Sequence, residues 1–337
     1  MKAAVLHAFK TPLVIEDVPR PSLSPDDLLI AVEACGVCHS DVHVAEGDWP
    51  QLASIVKKPL ILGHEVAGRV VETGANVREL RVGDRVGVPW IFWTCGACES
   101  CREGHENLCA SQKITGVSVD GGYAEFLKAP ASHATKIPGA LSSMEVALLF
   151  CAGVTVYRAL QKAKILAGQR VAIFGVGGLG HLALQMTAGL GAQVIAIDLS
   201  EEKLLLAESL GATETCNAAG ADAGKKLRRL AAHVALVTSA AKSAYDLAFS
   251  CLRPTGTLLV VGLPAENICF PPILMAALEI NIHATAVGTR QDLRAVLALA
   301  AAGKLRPQVS ARPLCEANAV LEALRQGKIS GRVVLTP

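Results

Sequence analysis

Apolar residues follow two rhythms along this 337-residue chain. Up to about residue 135 they come in short β-branched runs, at 28–32, 65–71 and 84–88, with Gly or Pro close by, which predicts strands. A polar insert from Cys95 to Cys109 interrupts them and reads as an irregular loop. From about 150 to 284 the pattern alternates. Strands are predicted at 170–174, 194–197, 234–237 and 257–261, and helices at 179–188, 201–210 and 243–251. That alternation is the mark of a doubly wound parallel sheet, so the fold class is α/β. The tail predicts helices near 292–302 and 316–326 and a last strand at 332–335.

The stretch from Val171 to Ile197 has no Asp, Glu, Lys or Arg and superficially suits a membrane span. Its six glycines instead divide it into strand, turn, helix, turn and strand. Strands of a parallel sheet are apolar on both faces, which accounts for a 51% hydrophobic composition and a mean hydropathy of +0.40. Lys and Arg number 32 against 30 Asp and Glu, a net charge of +2. So slight an excess gives no field for nucleic acid or an acidic membrane, and neither is expected as a partner. The low charged fraction, 18%, favours surface buried in an oligomer. Eleven cysteines are too sparse for a disulfide scaffold, and no apolar leader segment opens the chain. A reducing, cytoplasmic location is expected, with thiols free or bound to metal.

Two motifs carry chemistry by spacing alone. Gly175-Val176-Gly177-Gly178-Leu179-Gly180 follows a predicted strand and opens a helix, and Asp198 ends the next strand. This is the Rossmann dinucleotide turn: Gly175 for the tight turn, Gly177 for approach to a pyrophosphate, Gly180 for helix–strand packing. Asp198 suits the adenosine ribose hydroxyls and repels a 2′-phosphate, which favours NAD over NADP. Cys95, Cys98, Cys101 and Cys109 form C-x2-C-x2-C-x7-C. Bacterial iron–sulfur spacing requires a different fourth cysteine. A closed four-thiolate zinc site fits, with a structural role.

Three further segments carry ligand-type residues: Cys38-His39-Ser40-Asp41-Val42-His43, Gly63-His64-Glu65 and Cys151-Ala152-Gly153-Val154-Thr155. No spacing rule joins them. Together with Gly47-Asp48-Trp49-Pro50, the cysteine lobe, the glycine turn, Val261-Gly262-Leu263-Pro264 and Gly288-Thr289-Arg290, they make the chain similar over its whole length to the zinc-dependent medium-chain alcohol dehydrogenases. The bacterial and yeast tetrameric branch is the one it resembles.

The resemblance implies a mainly β, GroES-like catalytic domain at 1–149 with a zinc lobe at about 93–112, a Rossmann domain at 150–284, and a return to the catalytic domain at 285–337. It implies two zinc ions per subunit, a catalytic one on Cys38, His64 and Cys151 and a structural one on the four lobe cysteines. Two cysteines and a histidine with an open fourth position are the general alcohol dehydrogenase set. Ser40 would take the alcohol proton and pass it through the nicotinamide ribose to His43, while Glu65 would tune the zinc. His39 and Arg290 would meet the pyrophosphate and Lys203 the adenosine ribose. Thr155, Leu179, Val261 and Leu263 would contact the nicotinamide, with Gly178 in the turn. Trp49 and Trp90 would wall the pocket for a small or flat aromatic alcohol, with Phe92 and Trp93 as further wall candidates. The activity implied is reversible, NAD-dependent oxidation of a primary or secondary alcohol to aldehyde or ketone, by a homotetramer or else a dimer. A polyol or threonine dehydrogenase and a non-catalytic zinc module are the alternatives.

Overall fold

Each rhythm of the sequence builds its own sheet in a computed structural model that describes all 337 residues. One unit comprises residues 1–154, 289–301 and 307–337; the other comprises 155–288 and 302–306. In the first, the long strand Asp27–Gly36 pairs antiparallel with Glu65–Thr73, Phe126–Pro130 and the C-terminal Arg332–Thr336. Thr135–Lys136, Arg85–Val88 and Val309–Pro313 complete this sheet. A three-stranded sheet of Val14–Asp17, Lys2–Leu6 and Leu60–Ile61 shares its core, which includes Leu6, Leu28, Ile30, Leu62, Val66 and Tyr123. Burying each large apolar side chain contributes roughly 1.5–3 kcal/mol. A slip of one residue would turn such a set outward, so burial fixes the register.

That register positions chemistry. Gly36 lies opposite Glu65, so the chain leaving one strand passes the residues entering the other. Two register shifts, between Leu29 and Ile30 and between Val32 and Ala34, break the regular ladder of the long strand before this point. Gly36 permits the approach: a Cβ there would sit 1.9 Å from the Glu65 carboxylate.

The second unit holds six parallel strands in the order Glu214–Asn217, Gln193–Asp198, Arg170–Phe174, Ala232–Val237, Leu252–Val260 and Asn281–Ala284. The four inner strands match the predicted ones. The two outer strands carry no apolar run, because an edge is not covered on both sides, and the pattern did not predict them. No single helix is long and apolar enough to cross a membrane. The charge-free stretch is instead two strands around the helix Gly180–Gly189.

Gly180 lies so close to the preceding strand end that a Cβ would stand 1.8 Å from the Gly175 carbonyl oxygen. Backbone cannot yield as a side chain does. Gly180→Ala is therefore expected to lower unfolding free energy by about 1–3 kcal/mol, measured by urea denaturation.

Candidate active site

Cys38 caps the helix His39–Glu46, and the helix ends on Gly47 in the left-handed conformation. The third helical residue, Asp41, turns back so that its Oδ2 accepts the Cys38 N–H at 2.8 Å. Its Oδ1 accepts from His64 Nδ1 at 2.9 Å, and Oδ2 also accepts the Tyr123 hydroxyl at 3.0 Å. Asp41, His64 and Tyr123 are all buried. His64 Nε2 is buried too and has no hydrogen-bond partner. One donor atom from each of Cys38, His64, Glu65 and Cys151 lies within 4.8 Å of the other three, and all four residues are buried. An orphaned imidazole nitrogen facing two thiols and a carboxylate is unfavourable for a neutral cavity and favourable for a cation. The residues present therefore fit a zinc ion.

The two thiols split: their mutual hydrogen bond, with burial, pushes Cys151 well above its ordinary value. Hydrogen bonding from Cys151 holds the Cys38 thiol well below its ordinary value; burial opposes this, and Arg332 and His64 assist it. Burial pushes the Glu65 carboxyl up to about 7 against the pull of Arg332. Arg332, also buried, grips both oxygens of that carboxylate, with Nε at 3.1 Å from Oε2 and Nη2 donating to Oε1. Ser40 Oγ lies 3.7 Å from Cys38 Sγ. His43 pairs with Asp48 through Nδ1 at 2.9 Å. Trp90 stands edge-on to His64 with centroids 4.8 Å apart, and Trp49 lies 4.7 Å from the His43 ring. His39 is exposed. Of the two further aromatics, Phe92 packs against the core of the β unit and Trp93 is exposed.

The four lobe sulfurs also lie within 4.8 Å of one another. The insert is less irregular than its polarity predicts. Glu99–Arg102 forms one helical turn and Glu106–Leu108 a 3-10 turn. Backbone N–H groups ahead of the first turn point at sulfur: Cys98 N to Cys95 Sγ at 3.3 Å and Cys95 N to Cys109 Sγ at 3.5 Å. Backbone donors from Ala97 and Cys98 lower the Cys95 thiol to about 6, while burial and the neighbouring thiols push Cys101 up to about 12. Two anchors tie the lobe down. The Thr94 N–H donates to His133 Nε2 at 3.0 Å, and Arg290 binds Glu106 through its backbone N–H, Nε and Nη2. Arg290 Nη1 also reaches the Ser132 carbonyl at 2.8 Å. The guanidinium expected against a pyrophosphate is thus engaged with the lobe in this structure.

In the other unit, Asp198 is fixed by three backbone donors, Val176 N at 2.7 Å, Leu199 N at 2.8 Å and Ser200 N at 3.1 Å. The first of these locks the carboxylate to the glycine turn. Gly175 takes φ +95°, and a Cβ on Gly177 would meet nothing within 4 Å. That open face above the turn is where a pyrophosphate could approach backbone, so the residues present fit a dinucleotide. Thr155 and Val261 are buried, Leu179 and Lys203 half-buried and Leu263 exposed.

Sequence reasoning missed Asp41, Tyr123, Arg332, Asp48, Glu106 and His133. Only Asp41 left a local signal, as the third residue of a helix whose cap is a cysteine. Tyr123 and Arg332 act across 82 and 267 residues, beyond any motif. Burial, with the Arg290 charge next, pushes the His133 imidazole down to about 4 from 6.5. The unfolded chain then binds this proton first as pH falls, so stability declines from about pH 6.5 downward. His133→Gln is expected to lose less stability between pH 7 and pH 5 than the wild type, as read from urea unfolding at both values.

Comparison with known proteins converges on one family. Residues 24–139 match the alcohol dehydrogenase GroES-like domain and residues 178–302 the zinc-binding dehydrogenase domain. An alcohol dehydrogenase of Geobacillus stearothermophilus is 45% identical over 337 residues, covering 99% of this chain and 98% of that protein. The crystal structure of the alcohol dehydrogenase from Aeropyrum pernix superposes with a TM-score of 0.94 at 37% identity, with all of both chains covered. Acetophenone reductase from Geotrichum candidum, solved in complex with NAD, gives 0.92 at 30% identity, covering 100% of this chain and 97% of that one. With its buried donor cluster, four-cysteine lobe and glycine turn, the chain belongs to the zinc-dependent medium-chain alcohol dehydrogenase family.

Proposed function

We propose that the protein oxidises a primary or secondary alcohol reversibly to the aldehyde or ketone, with NAD as hydride acceptor and two zinc ions per subunit. The observation that carries this is the His64 imidazole, buried, fixed by Asp41 on one nitrogen and unpartnered on the other beside two thiols. We assign Cys38, His64 and Cys151 to the catalytic zinc and Cys95, Cys98, Cys101 and Cys109 to the structural one. Zinc held by the first set supplies a Lewis acid that lowers the pKa of an alcohol oxygen. Arg332 holds both Glu65 oxygens, so Glu65 would tune a zinc ion on Cys38, His64 and Cys151 from beside it.

Ser40 takes the alcohol proton, and His43, oriented by Asp48, receives it and releases it to solvent. Trp90 and Trp49 favour small primary or flat aromatic alcohols. Nucleotide binding falls to the second unit: the glycines at 175, 177, 178 and 180 face the pyrophosphate and Asp198 the ribose hydroxyls, with Lys203 beside them. Thr155, Leu179, Val261 and Leu263 frame the nicotinamide, and His39 and Arg290 add positive charge for the phosphates. For Arg290 this requires donors beyond those given to Glu106 and Ser132.

The substrate test is absorbance of NADH across ethanol, longer alkanols, benzyl alcohol and cinnamyl alcohol, with zinc per subunit measured on the same sample. Turnover with about two zinc ions is expected. Ser40→Ala should lower kcat by about 10²-fold or more while zinc content holds; unchanged turnover overturns the relay.

We further infer a cytoplasmic homotetramer, with a dimer as the alternative. Support comes from the edge strand Asn281–Ala284 and the helix Pro272–Leu278, none of whose residues is buried. Ile273 on that helix is 75% exposed and Leu274 is exposed beside it. Such a face favours subunit association. Light scattering should give the mass of a tetramer, and Ile273→Lys combined with Leu274→Lys should lower it.

A further inference from the structure

Asp41 accepts from both Cys38 N and His64 Nδ1, and a third donor reaches it from outside both segments. Tyr123 is that donor. The phenol is completely buried, and the residue is fixed at every end. Its N–H donates to the Leu62 carbonyl at 2.9 Å, and its carbonyl accepts from Ala4 N at 2.8 Å. Its ring lies on Gly63, the residue before His64. A Cβ on Gly63 would come within 2.4 Å of that ring and 2.7 Å of Cys35 Sγ. Gly63 also takes φ +95°, so glycine is required there twice over. The hydroxyl therefore has no freedom, and it meets Asp41 Oδ2 on the oxygen that also accepts the Cys38 N–H.

We propose that Tyr123 is a positioning residue for the metal site: its hydroxyl fixes the Asp41 carboxylate, which in turn holds His64 with Nε2 directed at the metal. This rests on the assignment of Cys38, His64 and Cys151 to zinc. The carboxylate is buried with three protein donors, Cys38 N, His64 Nδ1 and the Tyr123 hydroxyl. Removing one leaves Oδ2 with a single partner and frees the carboxylate to rotate about its Cβ–Cγ bond. The imidazole follows, because Oδ1 is what orients its ring and selects its tautomer. Partners of this kind are typically worth about 10–100-fold in metal affinity. Tyr123→Phe deletes only the oxygen and keeps the ring packed on Gly63.

The test follows zinc loss from the full-length holoenzyme under excess EDTA, by metal analysis over time. It compares the wild type, Tyr123→Phe, Asp41→Asn and the double variant, with thermal unfolding measured on each. Two zinc equivalents should leave the wild type in two phases. In Tyr123→Phe one phase is expected to accelerate about tenfold or more, while the other phase holds and the unfolding temperature falls by no more than about 5 °C. On the Asp41→Asn background the same change should add less than about twofold, since the tyrosine acts through Asp41. Wild-type rates in Tyr123→Phe overturn the proposal, as does an equal acceleration on both backgrounds. Cobalt substitution gives a second readout that does not need the Asp41 variant. The ligand-field bands of the Cys38 site should shift in Tyr123→Phe, and an unchanged spectrum counts against it. A wild-type protein that binds only the lobe zinc overturns the underlying metal assignment instead, so the two failures are distinct.

Discussion

The Asp41 carboxylate is the interaction around which the β unit is organised. It is buried at 1% exposure among the strands of the first unit. Such a group is tolerated only when its oxygens are filled by donors and a cation lies near. The fold meets that demand by bringing together segments remote in sequence. The long strand Asp27–Gly36 delivers Cys38, the strand Glu65–Thr73 begins beside it, and the loop before Phe126–Pro130 brings Tyr123. The donor cluster exists because these three meetings are enforced by register and by the shared core.

Glu65 and Arg332 repeat the logic a few ångströms away. Their pair is buried on both sides, and breaking a pair of that kind by removing one partner costs about 3–5 kcal/mol. Arg332 starts the C-terminal strand, so the end of the chain closes the site that its beginning opened. Gly36 completes the arrangement, since any side chain there would collide with the carboxylate.

Most of the α/β unit was legible in the sequence because its inner strands are covered on both faces and therefore advertise themselves as apolar runs. Its edges, Glu214–Asn217 and Asn281–Ala284, were silent for the opposite reason. The lobe and the glycine turn were legible because their donors lie close in sequence, where spacing alone restricts geometry. The set of Cys38, His64 and Cys151 was not: only family resemblance joined residues that no local rule relates, and the structure brings their donor atoms within 4.8 Å. Asp41 was hidden by convention, since a cysteine is not the usual helix cap. Arg332 and Tyr123 were hidden by distance, because hydrogen bonds across 267 and 82 residues leave no periodicity behind.

The two donor clusters differ in how much chain they span. The lobe joins residues 95 to 109, whereas the other set runs from residue 38 to residue 151. A short loop closes at small entropic expense and needs little of the remaining fold; a long one closes only after the strands between its ends have paired. The lobe sulfurs are therefore gathered largely by local chain, whereas Cys38 and His64 come together only through the pairing of Asp27–Gly36 with Glu65–Thr73.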